Sequence, residues 1–416
     1  MPEQPTDRAA LRRANLAWVV RALREQGGLS RAQLAVLSGL SKATVSTLVA
    51  ELTSRRLVRA GGVAAGGQGR PGQIVELDTD GVRGIGLEVG IDHLAATSVD
   101  TAGQVVSDRR VSFDVLSAGV DRTIDKLAEV ASVELSAAAG CYPAGITVSV
   151  PGLVDTARGV VRLAPRMRWR EVPIADGLAG RIGFPLDRIA VDNDANLSAT
   201  AEFEAGGMRG TADLVYVTGD FGIGAGVIAG SRLVRGSIGY AGEVGHMSMD
   251  PMGPQCSCGR RGCWETQVGL AALFHALAAP GDPVSDPSRA IEERMAIIRS
   301  RAERGDQRTL GALHQIGAAL GVGVSIVVNV LSPAVVVLGG YFAALPDWLI
   351  EPARIEVAAR AVVAEAATVR VVGSELGFTA ARTGGALAAL SRIFDDPTQA
   401  PERSESPELM KTEAPA

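Results

Sequence analysis

The chain has 416 residues, 47% hydrophobic and 21% charged, ordinary for a soluble globular protein but too long for one core, so two or three domains are expected. Its four cysteines, three of them between positions 256 and 263, exclude a disulfide framework. Net charge is −5 overall, yet residues 1–80 carry 11 Lys/Arg against 7 Asp/Glu, hence +4, which leaves −9 for the rest; a basic head on an acidic body suits a nucleic-acid-binding module joined to another domain, although a solvated basic face would count the same.

The opening MPEQPTDRAALRR lacks the apolar core of a secretion signal. A cytoplasmic protein is therefore expected. The segment NLAWVVRALREQGG then places Leu16, Val19, Val20 and Leu23 on one helical face, with Gly27 and Gly28 as the stop. Ser30 caps a short helix, Gly39 makes a turn, and Ser41 caps SKATVSTLVAELTSRRL. In that last helix Val45, Leu48, Val49 and Leu52 form a buried stripe and Lys42, Thr44, Ser46 and Thr47 an outer polar face. Two helices about a Gly turn predict a helix-turn-helix. With Ser41, the outer residues offer hydroxyls and a cation to base edges and phosphates of double-stranded DNA. VRAGGVAAGGQGRPGQIVELD reads as two strands about a Gly-rich loop, a wing with Arg70 at its tip. Residues 1–78 are thus expected to be a winged helix-turn-helix.

Beyond the head, residues 83–111 and 213–234 share a rhythm of strand, turn, strand, turn, strand. One α/β unit used twice, with a cleft between the copies, accounts for it. The expected first lobe is 82–195, completed by a last helix within 375–394, and the second is 196–374. The apolar run VGVSIVVNVLSPAVVVLGG is broken by Asn329, Pro333 and glycines, so it predicts a buried helix and a buried strand rather than a membrane span. The tail, 395–416, is rich in Pro, Glu and Ser, and disorder is expected there.

The stretch GHMSMDPMGPQCSCGRRGCWE carries His246, Cys256, Cys258 and Cys263. One imidazole and three thiols in a Gly/Pro-rich loop are the ligand set of a closed, structural zinc site. Cys141 stands apart and is expected to be a small buried residue. Folding the loop on a metal would gather Glu243, His246 and Glu265, acceptors suited to sugar hydroxyls. Upstream, RIAVDNDANLSATAE is an apolar strand running into Asp192-Asn193-Asp194 and a helix, a usual ligand position in α/β folds. In isolation those three residues read first as a helix cap.

Together, GITVSVPGLVD, LAPRMRWREVPI, VDNDANLSATAE, GIGAGVIAGSRLVRGSIGYAGEVGHM and CSCGRRGCWE resemble successive motifs of the ROK family of bacterial sugar kinases, repressors and open reading frames. The winged helix in front is similar to its repressor branch, the regulators of N-acetylglucosamine and xylose genes. The resemblance implies an α/β, two-lobed actin-like (ribonuclease H-like) sugar-kinase fold, a structural zinc and a homodimer or homotetramer. It also implies that Asn193, Asp194, Glu243, His246 and Glu265 contact sugar, with Asp194 at the position of the kinases' base.

Phosphoryl transfer further needs phosphate cradles. Where family kinases carry Asp-x-Gly-Gly-Thr, this chain has Glu88-Val89-Gly90-Ile91-Asp92-His93, and where they carry Gly-Thr-Gly it has Asp220-Phe221-Gly222. Asp194 then reads as a vestigial base, and the chain as a regulator rather than an enzyme: a DNA-binding repressor of carbohydrate-use genes, released from a palindromic operator by a sugar or sugar derivative. Two other readings are an active sugar kinase with an accessory DNA-binding head, and a repressor controlled by a protein partner. Arg166 stands where Asn is common in the family; facing the cleft it would pair with an anionic ligand, and on an exposed loop it would do nothing.

Overall fold

The computed structural model describes residues 7–63, 73–279, 281–286, 289–362 and 369–402. The head opens with helix α1 (Arg8–Gln26), a two-residue strand β1 (Leu29–Ser30), and helices α2 (Arg31–Ser38) and α3 (Lys42–Ser54). Local chemistry sets these boundaries. Ser30 and Gln33 form a reciprocal capping box at α2, and the Ser41 hydroxyl accepts from Thr44 N at 3.1 Å at α3. The chain bends by 115° between α2 and α3, the geometry of a helix-turn-helix. Both predicted stripes, Leu16/Val19/Val20/Leu23 and Val45/Leu48/Val49/Leu52, are buried. Strands β2 (Val58–Val63) and β3 (Gln73–Leu77) pair antiparallel, with β1 on the far side of β3. The wing tip, with Arg70, lies outside the described residues.

Two five-stranded sheets follow. The first is built from β4 (Val82–Val89), β5 (His93–Val99), β6 (Val105–Ser112), then α4 (Val115–Ala137) and β7 (Tyr142–Val150). A small sheet of β8 (Leu153–Asp155), β9 (Val160–Ala164) and β10 (Trp169–Val172), with α5 (Ile174–Ile182), leads to β11 (Ile189–Asn193). Helix α6 (Asp194–Glu204) then crosses to β12 (Leu214–Gly219), β13 (Ile223–Ala229) and β14 (Arg232–Leu233) of the second sheet. The helices α7 (Glu265–Val268), α8 (Leu270–Leu277), α9 (Ile291–Glu303) and α10 (Gln307–Leu331) precede β15 (Val335–Gly340); α11 (Tyr341–Ala344) and α12 (Pro346–Arg360) precede β16 (Arg370–Gly373). The strand orders are β11-β7-β4-β5-β6 and β14-β13-β12-β15-β16. Numbered within each sheet and read from β6 and from β14, both run third, second, first, fourth, fifth, so the shared rhythm reflects one topology used twice.

The last helix, α13 (Ala380–Asp395), returns to the first sheet and packs on β4, β5, β7 and α6. The approach is close: a Cβ on Gly86 of β4 would sit 1.8 Å from Arg382 O, so only glycine fits there. Helix α10 is long and apolar enough to cross a membrane, but 61% of its apolar window is buried in the second lobe, as expected of a core helix.

Two sequence expectations need correction. The tail does not become irregular at residue 395. Pro397–Gln399 form a 3-10 turn, Ala400 is fully buried, and Arg55 donates to Thr398 O at 3.1 Å and Ala400 O at 2.5 Å; a polar composition conceals two residues that dock on the head, and 403–416 lie outside the described residues. Cys141 is half-buried rather than buried, because it sits in the turn before β7, where its thiol donates to Asp80 O at 3.2 Å.

Candidate functional site

A cleft of about 690 Å³ opens between the two large sheets, and Asn193, Asp194, Glu243, His246 and Glu265 all line it. Parallel strands β7 and β11 end at its floor. The register that pairs Asn193 with Val150 brings the start of α6 to the cleft. Asn193 is the N-cap of α6: its Oδ1 accepts from Ala195 N (2.9 Å) and Asn196 N (3.2 Å), and its Nδ2 donates to Gly152 O (3.0 Å). Asn193 is therefore a helix cap that also lines the cleft. Asp192 is spent elsewhere, in a two-pronged pair with Arg235 at 2.6 and 3.0 Å. Asp194 occupies the first helical position. Burial, assisted by the neighbouring charges of Glu88 and Glu243, pushes its carboxyl up to about 6 although Ala195 N opposes the shift.

The loop after β14 supplies the opposite wall. His246 closes a 3-10 turn begun by Glu243, and its Nε2 lies 3.7 Å from Glu243 Oε2. Burial, then the charge of Glu265, raises the Glu243 carboxyl. Glu265, at the start of α7, has its partners on one oxygen: Oε1 accepts from the Cys256 thiol (2.9 Å) and Ser257 Oγ (3.2 Å) and faces Arg166 Nη2 at 3.3 Å. Arg166 does face the cleft, and Glu265 already partners it.

Behind this wall the ligand atoms of His246, Cys256, Cys258 and Cys263 lie within 4.8 Å of one another. His246 Nδ1 is 3.7 Å from Cys256 Sγ, and Cys258 Sγ is 3.7 Å from Cys263 Sγ. A tetrahedron with metal–sulfur bonds of about 2.3 Å has edges of about 3.8 Å, so the donors fit a metal ion. The loop is pinned from within and from below. Gly262, at φ +63°, leaves no room for a Cβ, which would fall 1.5 Å from Asp250 O, and the buried Trp264 donates to Ala319 O of α10 at 2.9 Å. Nδ1 thus faces the thiols while Nε2 faces Glu243 and the cleft.

A second pocket shares Glu88, Asp194 and Asp220 with the cleft and adds Asp92, His93, Arg110, Glu292 and Arg382; the sequence singled out Glu88, Asp92, His93 and Asp220, but Arg382, Arg110, Glu292 and the neighbouring Asp108 were missed. Glu88 pairs with Arg382 Nη1 at 3.0 Å and lies 3.5 Å from His93 Nε2. Arg382 also grips Asp108 at 2.6 and 3.0 Å. His93 Nδ1 meets Asp92 at 2.8 Å, and Arg110 links Asp92 to Glu292 of α9. Burial alone would push the Glu88 carboxyl up, but His93 and Arg382 hold it at about 2. Burial would likewise push His93 down, but Asp92 and Glu88 hold it at about 9. Asp220, with no ion pair among the described residues, is pushed up to about 7, by burial first and by the carboxylates of Asp92 and Glu88, against the offset of His93. No local motif joins Arg382 to Glu88, which it follows by 294 residues.

Comparison with known proteins sets this geometry in context. A model described as the ROK family matches residues 84–392, and one described as the MarR family matches residues 17–70. The chain is 27% identical over 391 residues to the xylose repressor of Bacillus subtilis strain 168, covering 94% of this chain and 98% of that one. A protein of Caldicellulosiruptor sp. strain Rt8B.4, whose name also carries the words xylose repressor, is 30% identical over 376 residues, 88% of this chain and 93% of its own. Among solved structures, a ROK family transcriptional regulator, homologue of the E. coli MLC protein, superposes with TM-score 0.75 at 24% identity over 93% of this chain and 97% of its own. A ROK family glucokinase from Streptomyces griseus, in complex with glucose and AMPPNP, superposes with TM-score 0.65 at 26% identity over 74% of this chain and 99% of its own. The twofold α/β topology, the His/Cys loop and a family model spanning most of the sequence lead to one assignment: the chain belongs to the ROK family.

Proposed function

We propose that this chain is a repressor that binds double-stranded DNA through α3 and the wing, and releases it when a sugar or sugar derivative occupies the cleft. One conjunction carries the reading: a helix-turn-helix whose Ser41, Lys42, Thr44, Ser46 and Thr47 are all exposed sits on a body whose cleft gathers Asn193, Asp194, Glu243, His246 and Glu265. Relatives named as xylose repressors align over nearly the whole chain, head included. Asp194, Glu243 and His246 Nε2 present polar atoms to ligand hydroxyls, while Asn193 positions the start of α6 and Glu265 ties the cleft to the metal loop. Zinc is the ion we assign to His246, Cys256, Cys258 and Cys263; four protein ligands leave no open position, so it serves to hold the loop. Two copies form the DNA-binding unit, one recognition helix per half-site.

No phosphoryl transfer is part of this reading. At the first cradle Glu88 is paired with Arg382 and His93, and at the second the half-buried Asp220 carboxyl, whenever ionised, opposes an approaching phosphate. A coupled assay with MgATP and D-xylose, D-glucose or N-acetyl-D-glucosamine should show no turnover above the no-enzyme rate. The central test is a gel shift on DNA upstream of the protein's own gene, repeated with the same sugars. A retarded band that one sugar abolishes supports the proposal; a band insensitive to all of them, or no band at low salt, refutes it.

A further inference from the structure

The cleft and the DNA-binding head are far apart in sequence, yet one helix touches both. Helix α6 starts at the cleft, where Asn193 caps it and Asp194 is its first residue. It ends at Glu204, whose Oε2 lies 3.0 Å from Arg24 Nη2 in the last turn of α1. Arg24 is held from two further directions. Its guanidinium lies 4.9 Å over the Phe394 ring of α13, and its carbonyl accepts from Arg209 Nη2 at 3.0 Å, just beyond α6. Ala201 of α6 is fully buried in the same apolar cluster as Leu16, Val20 and Leu23 of α1. From α1 the path continues to α3: Arg12 pairs with Glu51 at 2.7 Å, and Glu51 pairs with Arg55 at 3.3 Å.

We propose that α6 is the rod that carries cleft occupancy to the head, with Glu204 and Arg24 as the positioning pair at its output end. This rests on the repressor reading above. A helix of this length spans about 16 Å and is stiff along its axis, so a shift of its N-terminus must reappear at its C-terminus. A ligand held by Asp194 favours one position of that N-terminus over another, and only such a difference can move an equilibrium. Glu204 and Arg24 then tilt α1, and through Arg12–Glu51 they tilt α3 relative to its partner copy. The pair is not the main anchor of the head, because the apolar cluster around Leu16 and Phe394 supplies that. Its side chains keep 15% and 22% exposure, where an ion pair adds little to stability.

The test compares full-length wild type, Glu204→Gln, Arg24→Gln, Arg24→Lys and the double Gln variant. Each is measured for melting temperature, affinity for D-xylose, D-glucose and N-acetyl-D-glucosamine, and affinity for DNA upstream of its own gene with and without the sugar that binds. In wild type the sugar is expected to weaken DNA binding by about tenfold or more, within the usual range for coupled sites. Glu204→Gln and Arg24→Gln should keep sugar affinity within about twofold and sugar-free DNA affinity within about threefold, while the sugar effect on DNA falls below about threefold. Arg24→Lys, which keeps the charge, should restore at least part of the response, and the double variant should be no worse than either single one. A merely structural pair would lower the melting temperature and leave the sugar response of the folded protein intact, which refutes the assignment. A Glu204→Gln protein that responds as fully as wild type refutes it as well. A wild type whose DNA affinity ignores every sugar overturns the repressor reading, and this proposal with it.

Discussion

His246 is the residue on which the two halves of the site meet. Its Nδ1 faces Cys256 and its Nε2 faces Glu243, so the same ring that completes the thiol cluster also presents a polar atom to the cleft. Cys258→Ser removes one ligand with little change of volume. Metal content by atomic absorption is expected to fall well below one zinc per chain, with a loss on the order of 3–5 kcal/mol in urea denaturation. Full metal content in the variant would sink the ligand assignment. In the second pocket, His93 is protonated up to about pH 9 in the fold, against 6.5 for the free side chain. Its contribution is complete below pH 6.5 and disappears as pH rises through 9. Glu88 works in the other direction: held at about 2 against 4.5, it contributes above pH 4.5 and loses that contribution only as pH falls toward 2. Wild type should lose roughly 1–1.5 kcal/mol of stability between pH 8 and 10 from His93 alone. His93→Gln should show a flatter profile over that range, and two superimposable slopes would show that His93 does not titrate there.

At the scale of elements, α3 has a divided task. Val45, Leu48, Val49 and Leu52 bind it to α1 and α2, and Lys42, Thr44, Ser46 and Thr47 stay exposed. The Ser46 and Thr47 hydroxyls lie within 3.2 Å of the carbonyls one turn earlier, which sets their rotamers before any DNA arrives. Lys42→Ala combined with Arg70→Ala should weaken DNA binding at physiological salt by about tenfold or more and reduce the slope of log K against log salt by about one to two. Fluorescence anisotropy over a salt series would read both, and unchanged affinity and slope would place the DNA surface elsewhere. The His/Cys-loop wall and the α6 N-terminus differ from α3 in depending on partners distant in sequence: Trp264 anchors one on α10, and α13 packs against the other.

Across the whole molecule, the head is no loose appendage. Its core is continuous with Val82, Val99, Ala144 and α13 of the first lobe, and Arg55 reaches the segment after α13. A head docked in this way follows the body; in the proposed dimer, lobe movement would change the spacing of the two recognition helices. Light scattering behind gel filtration should give a mass of about two chains or a multiple of two, and DNase footprints should cover two inverted half-sites about one duplex turn apart. A monomer that protects a single half-site would exclude this mode of binding.

Local chemistry was legible in the chain itself. Ser30 and Ser41 announced the helix starts, the apolar stripes identified the buried faces of α1 and α3, and the spacing of His246, Cys256, Cys258 and Cys263 announced one cluster, because each of these depends on neighbours a few residues away or on a rare residue type. The doubled rhythm of strands and turns also foretold two sheets of one topology. Only the tertiary structure decided which polar groups remain available to a ligand. Arg235 takes Asp192, Arg166 takes Glu265, and Arg382 reaches Glu88 across 294 positions. Such pairs are set by where distant segments pack in three dimensions, and no local pattern encodes them. The same holds for the docking of residues 397–400 and for the contact between α6 and α1, which exist because burial selects partners by shape and charge rather than by distance along the chain.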